Sequence, residues 1–208
     1  MTGLWLAGGV FGGVMIAIAG LLYSLRQLAK FLSTTVPQAT DTLVIEGWIP
    51  DHAVETAARA LVHGEYRWAI IVGQPIWKGA HLSKYESLAQ LTADTLKKLG
   101  VEPSQLAVVP CPQVNHYRTY TAALEVKQWL QQHRPELTAV NVLTLSAHAR
   151  RSWLVYRRTL APTVKVGVIA AASPNYDPNH WWRSSAGFRH VISEFIAYSY
   201  ARLFDWRA

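Results

Sequence analysis

The chain has 208 residues, of which 50% are hydrophobic and only 16% charged. That excludes a disordered chain and allows one sizeable core with an appendage. The net charge of +7 favours anionic partners such as phosphate-bearing ligands or acidic lipid head groups, and the single cysteine excludes an internal disulfide framework or a Cys-rich zinc module.

Residues 4–25 carry no charged side chain. As a helix they extend about 33 Å, enough to cross the hydrocarbon core of a bilayer. No basic region precedes them, as one would in a cleaved signal peptide. The run predicts a single-pass membrane anchor over 1–32, followed by a short linker over 33–40 around Pro37. Gly8 and Gly12, and Gly9 and Gly13, form overlapping G-x-x-x-G pairs. That spacing suits a homodimer through the anchor, although glycine is common in membrane helices generally. Arg26 and Lys30 follow the run, so the positive-inside rule places the remainder of the chain in the cytoplasm. Of the nine tryptophans, some suit a lipid interface and most suit a core.

From residue 41 onward, short apolar runs alternate with amphipathic stretches. Strands are predicted over 43–47, 68–73, 106–110, 139–146 and 164–172. Helices are predicted over 51–63, capped by Asp51 and ended by Gly64, and over 83–99, ended by Gly100. Further helices are predicted over 119–133, 149–160 and 187–204. Alternation at this spacing predicts an α/β domain over 41–208, with a mainly parallel five-stranded sheet covered on both faces. Near-continuous apolar strands fit such burial. Ligands of an open parallel sheet bind beyond the carboxyl ends of its strands, so the residues following each strand are the candidate site.

The densest group there is Ser146-Ala147-His148-Ala149-Arg150-Arg151-Ser152. A helix start offers free N–H groups to an anion, Arg151 can grip phosphate with a bidentate fork, and His148 can exchange a proton. Ser146 reads as the helix cap. Glu46 ends the first strand, where a carboxylate in an apolar run needs a partner. It could orient His148, act as a base, hold a metal, or pair structurally with Arg59. Ser83-x-x-Glu86 matches a capping box. Thr119 can cap the third helix, with Arg118 beside it for an anion. His190 and Glu194 stand four apart on the last helix, too few for a zinc site, and read as a surface contact. No dinucleotide, P-loop or serine-hydrolase signature follows any strand. The positive charges are dispersed, which argues against nucleic acid as a partner. No cofactor is identified and no metal site is read.

Taken in order, these elements resemble the SanA/ElyC/YdcF family. The carriers are Val44-Ile45-Glu46-Gly47, Arg59, the strand ending at Gly73, Glu86, Gly100-Val101, the Arg118-Thr119-Tyr120-Thr121-Ala122 run, and Ser-Ala-His-x-x-Arg-Ser over 146–152. The similarity covers about residues 41–172. It implies a Rossmann-like three-layer α/β/α domain, often behind one membrane helix and associated with envelope and peptidoglycan biogenesis. It also implies an enzymatic site, here Glu46, Arg59, Glu86, Thr119, His148 and Arg151. From residues and resemblance together, the expected catalytic set is His148, Glu46 and Glu86. The expected binding set is Arg151, Arg59, Arg118, Thr119, Gly47, Gly73 and Ser146. Anchored members commonly face away from the cytoplasm, so the extracytoplasmic side is expected despite Arg26 and Lys30. The chain departs from the family where Glu46-Gly47-Trp48 replaces a double glycine, where Val72-Gly73-Gln74-Pro75 follows the second strand, and where Arg118-Thr119 replaces Asn-Thr. These departures point to a different ligand or to lost catalysis. The expected function is therefore membrane-anchored binding of a phosphate-bearing lipid-carrier or cell-wall precursor, with hydrolytic or transfer chemistry. The alternative is a non-catalytic ligand-sensing or assembly protein in a membrane complex.

Overall fold

In a computed structural model of the protein, residues 2–76 and 83–204 are described, with side chains from Met15 onward. The Gly8–Gly13 pairs therefore lie outside the described side chains. Five apolar runs form strands β1 (Thr42–Glu46), β2 (Trp68–Gly73), β3 (Leu106–Pro110), β4 (Ala139–Leu145) and β5 (Lys165–Ala171). They pair in the order β3-β2-β1-β4-β5, and every pairing is parallel. Helices α2 (Asp51–Val62) and α3 (Leu88–Lys98) cover one face. Helices α4 (Arg118–His133) and α5 (Ala149–Leu160) cover the other, joined by the end of α6 (Ser185–Leu203). The fold is thus the expected three-layer, doubly wound α/β arrangement.

Alternation along β1 divides the core. Leu43 and Ile45 point to α2 and α3, and Val44 points to α4 and α5. All five β1 residues are buried, and Leu43, Val44 and Ile45 present apolar side chains to both faces. On α2 the buried stripe is Ala53, Val54, Ala57, Ala58 and Leu61, the spacing of one helix face. Gly64 (φ 78°) and Gly100 (φ 90°) end α2 and α3 in the left-handed region, as the sequence predicts.

Helix α3 begins five residues later than its predicted start. Its capping box is Ser87 with Gln90: Ser87 Oγ accepts from Gln90 N–H at 3.2 Å, and Gln90 Oε1 accepts from Ser87 N–H at 3.2 Å. The Ser83/Glu86 pair lies ahead of the helix because the backbone there is paired elsewhere. Ile76 N–H donates to Glu86 C=O (3.0 Å) and Leu88 N–H to Gln74 C=O (2.9 Å). Asp51 sits in the first turn of α2, with Pro50 at the cap position.

Helix α1 (Thr2–Leu32) is one helix long and apolar enough to cross a membrane. Its last turns dock on the domain. Ala29 and Leu32 are fully buried in a cluster with Ala147, Tyr176, Trp181 and Val191. Arg150 stacks on Phe31, 3.9 Å from the ring centroid, and its Nε donates to Phe31 C=O. The 33–40 segment is pinned as well. Val36 exchanges two backbone hydrogen bonds with Val168 (2.8 and 3.0 Å). Asn141 accepts from Gln38 N–H (2.7 Å) and donates to Gln38 C=O and Tyr66 Oη, both at 2.9 Å.

Candidate functional site

The strand order reverses at β1. The chain winds outward from β1 to β3, then returns to place β4 on the other side of β1. A crevice therefore opens beyond the carboxyl ends of β1 and β4. A cavity of about 870 Å³ lies there, lined by the ends of β1 and β2, the 111–117 loop, the start of α4, and α5 and α6.

Glu46 forms its floor and is 2% exposed. The β1–β4 register pairs Ile45 with Leu143, so the next step sets Glu46 beside Thr144. Thr144 Oγ1 donates to Glu46 Oε2 at 2.5 Å, and Ser152 Oγ lies 3.1 Å from both carboxylate oxygens. Two buried hydroxyls and His148 thus surround the carboxylate. The expected pairing with Arg59 is not formed. Helix α2 runs antiparallel to the strands, which carries its last turn to the opposite end of the sheet. Arg59 is exposed there and donates to Thr56 Oγ1 at 3.1 Å.

His148 ends a 3-10 turn (Ser146–His148) between β4 and α5 and is 5% exposed. Its Nδ1 lies 2.9 Å from Glu194 Oε1 and 2.9 Å from Arg151 Nη2. One ring nitrogen cannot donate to the first and accept from the second. Donation to Glu194 leaves Arg151 with acceptors of its own, because Nη2 also reaches Glu194 Oε1 at 3.1 Å while Nε reaches Oε2 at 2.9 Å. The other ring nitrogen, Nε2, is buried without a hydrogen-bond partner and stands 3.5 Å from Glu46 Oε2. Trp48 meets the ring edge-on at 4.7 Å between centroids.

Glu194 is the carboxylate that sequence reasoning placed on the surface. Its side chain is 13% exposed. Burial alone would raise its pKa, but His148 and Arg151 override that and hold the carboxyl well below the usual carboxylate range. The available signal was its isolation, since no other acid occurs between Ser185 and Leu203. Nearby His190 is shifted down, chiefly by burial.

Of the predicted residues, Glu46, Gly73, Arg118, Thr119, His148 and Arg151 all line the cavity. Thr119 does not cap α4. Tyr117 holds that position in the left-handed region (φ 55°), and Thr119 Oγ1 accepts from Arg151 Nη1 at 3.0 Å. Ser146, also left-handed (φ 41°), does not cap α5. Its hydroxyl is 2.8 Å from Tyr176 Oη and 3.3 Å from Ser33 Oγ. Glu86 is exposed and outside the cavity lining, with its N–H donated to Gln90 Oε1 at 3.0 Å. Gly47 and Gly73 admit the start of α3: a Cβ would fall 3.0 Å from Leu88 O at Gly47 and 2.7 Å from Ala89 N at Gly73.

Cys111 also lines the cavity, but burial, with Glu125 and Glu46 adding to it, pushes its thiol up to about 12. That opposes a thiolate nucleophile at neutral pH. Among the described residues, no group of three or more His, Cys, Asp or Glu side chains is arranged to hold a metal ion. The arrangement offers a proton-exchanging imidazole between two buried carboxylates, with Arg118 and the first turn of α4 at the mouth. The chain matches no protein-family model, no curated protein and no solved structure.

Proposed function

We propose that this chain is a membrane-anchored protein of the SanA/ElyC/YdcF type that binds a phosphate-bearing substrate, a lipid carrier or a cell-wall precursor, in the cavity beyond β1 and β4. The observation that carries this reading is His148. Its Nε2 is buried and without a hydrogen-bond partner in the wall of a large cavity, while Nδ1 is held by Glu194. A ring fixed at one nitrogen, with the other unbonded beside the Glu46 carboxylate, suits general acid–base work. In hydrolysis, a water oxygen bonds to phosphorus as the ester P–O bond breaks. His148 Nε2 takes the water proton and returns it to the leaving oxygen.

Phosphate sits at the mouth, not on Arg151. The Arg151 guanidinium is already matched by Glu194 and Thr119. Helix α4 begins beside the cavity, where the positive end of its dipole favours an anion, and Tyr117 supplies no side-chain cap. Arg118 is exposed there. The resemblance supports a role in envelope biogenesis on the extracytoplasmic side. The internal pairing of Arg151 favours a second reading, in which the pocket senses its ligand without turnover inside a membrane complex.

The test is mass spectrometry of molecules retained by the detergent-purified full chain, beside Arg118→Ala and His148→Gln. A phosphate-bearing molecule should be retained by the wild type and by His148→Gln and lost from Arg118→Ala. Turnover of that molecule should vanish in His148→Gln. Retention of no phosphate-bearing molecule, or equal retention by Arg118→Ala, refutes the assignment.

A further inference from the structure

The register of α1 fixes a level on the domain. The uncharged run ends at Leu25, and Arg26 is the first charged residue of the chain. A helix inserted by that run leaves the bilayer core near these two residues. At that level Trp181 is buried against α1, and Trp182, Arg183, Phe188 and Arg189 beside it are partly or fully exposed. Trp181 Nε1 donates to Leu25 C=O at 3.2 Å, and the Arg26 guanidinium lies 5.7 Å from the Trp182 ring centroid. Trp181 meets Trp182 edge-on and stacks on Phe188, each at 5.9 Å. Phe188 is half exposed. Arg183 and Arg189, which flank it in sequence, are exposed, and the single carboxylate between residues 172 and 193, Asp177, is held by His180 at 2.7 Å.

We propose that the 181–189 segment is an interfacial belt resting on anionic lipid head groups. Tryptophan with arginine is the pairing that the head-group layer selects, with the ring at the apolar boundary and the cation at lipid phosphates. The belt rests on the reading of α1 as a membrane anchor. It adds a second contact, made by the domain itself and continuous with α1.

The test uses the full chain, with Cys111 replaced by alanine, in vesicles of phosphatidylcholine with roughly one-third phosphatidylglycerol. A nitroxide is attached in turn through Leu21→Cys, Ser185→Cys and Lys97→Cys, and its collisions with lipid-dissolved oxygen and with a water-soluble nickel complex are compared. Position 21 should report acyl chains, position 185 the head-group layer, and position 97 water, with a several-fold higher oxygen-to-nickel ratio at 185 than at 97. Replacing both Arg183 and Arg189 with alanine should move position 185 toward the value at 97. Position 21 in the chains with position 185 in water overturns the belt alone. Position 21 in water overturns the anchor reading and the belt with it.

Discussion

Replacing Glu194 with glutamine tests the electrostatics of the site through stability, without knowledge of the substrate. In the native protein the carboxylate accepts from His148 Nδ1 (2.9 Å) and takes a bidentate grip from Arg151 (2.9 and 3.1 Å). Glutamine keeps the shape, removes the charge, and turns an NH₂ group toward existing donors. Removing one partner of a buried charge pair costs about 3–5 kcal/mol. The lower end applies here, because Arg151 keeps Thr119 and is partly open to the cavity. The effect has a distinct pH signature. The Glu194 carboxyl is held below its ordinary 4.5 in the folded state, so its contribution is fully present above that pH and is lost as pH falls toward the folded value. Below about pH 4.5 the gap between wild type and Glu194→Gln should close by about 1.4 kcal/mol per pH unit. Urea unfolding of the full chain in detergent, followed by tryptophan fluorescence from pH 7 to pH 3, measures that gap. A gap under about 1 kcal/mol at pH 7, or one unchanged at pH 3, would refute the pairing argued here.

Asn141→Ala strips the partners from Gln38 N–H, Gln38 C=O and Tyr66 Oη together. It should lower stability by about 2–3 kcal/mol in the same urea assay. Gly73→Ala places a Cβ 2.7 Å from Ala89 N, forcing α3 off β2. It should cost about 1–3 kcal/mol, seen as a lowered melting temperature. Cys111, its thiol pushed up to about 12 by burial and then by Glu125 and Glu46, should alkylate at pH 7.5 on the order of a thousandfold more slowly than a free thiol. Labelling at the rate of free cysteine contradicts that environment.

Much of the architecture was legible because doubly covered strands must be apolar on both sides. β1, β2 and β4 stand out for that reason, and Gly64 and Gly100 mark helix ends by their positive φ. Glu46 and His148 were legible as polar residues at strand ends. The start of α3 was not, because Ser83 and Glu86 match a cap locally while the backbone at 86–88 pairs with the chain after β2. Glu194 was missed because polar and apolar residues are mixed along α6 with no single apolar face. Val191 is buried and Ile196 is exposed on the same helix, so periodicity alone does not say which side packs. Arg59 was misplaced because a motif gives order along the chain, whereas the crossover geometry decides which end of the sheet a helix residue reaches.

The pairing of Val36 with Val168 has a consequence for handling the protein. β5 is the outermost strand on its side of the sheet, and an open strand border offers N–H and C=O groups to any passing chain. Val36 occupies two of those groups, and Thr35 Oγ1 accepts a third from Ala170 N–H at 3.1 Å. A chain cut at residue 41 to make it soluble would lose this guard along with the anchor. It would also uncover the seat of Ala29 and Leu32. Precipitation of such a fragment would then report an unguarded border rather than a sheet unable to fold. A cut ahead of Ala29 keeps both coverings in place.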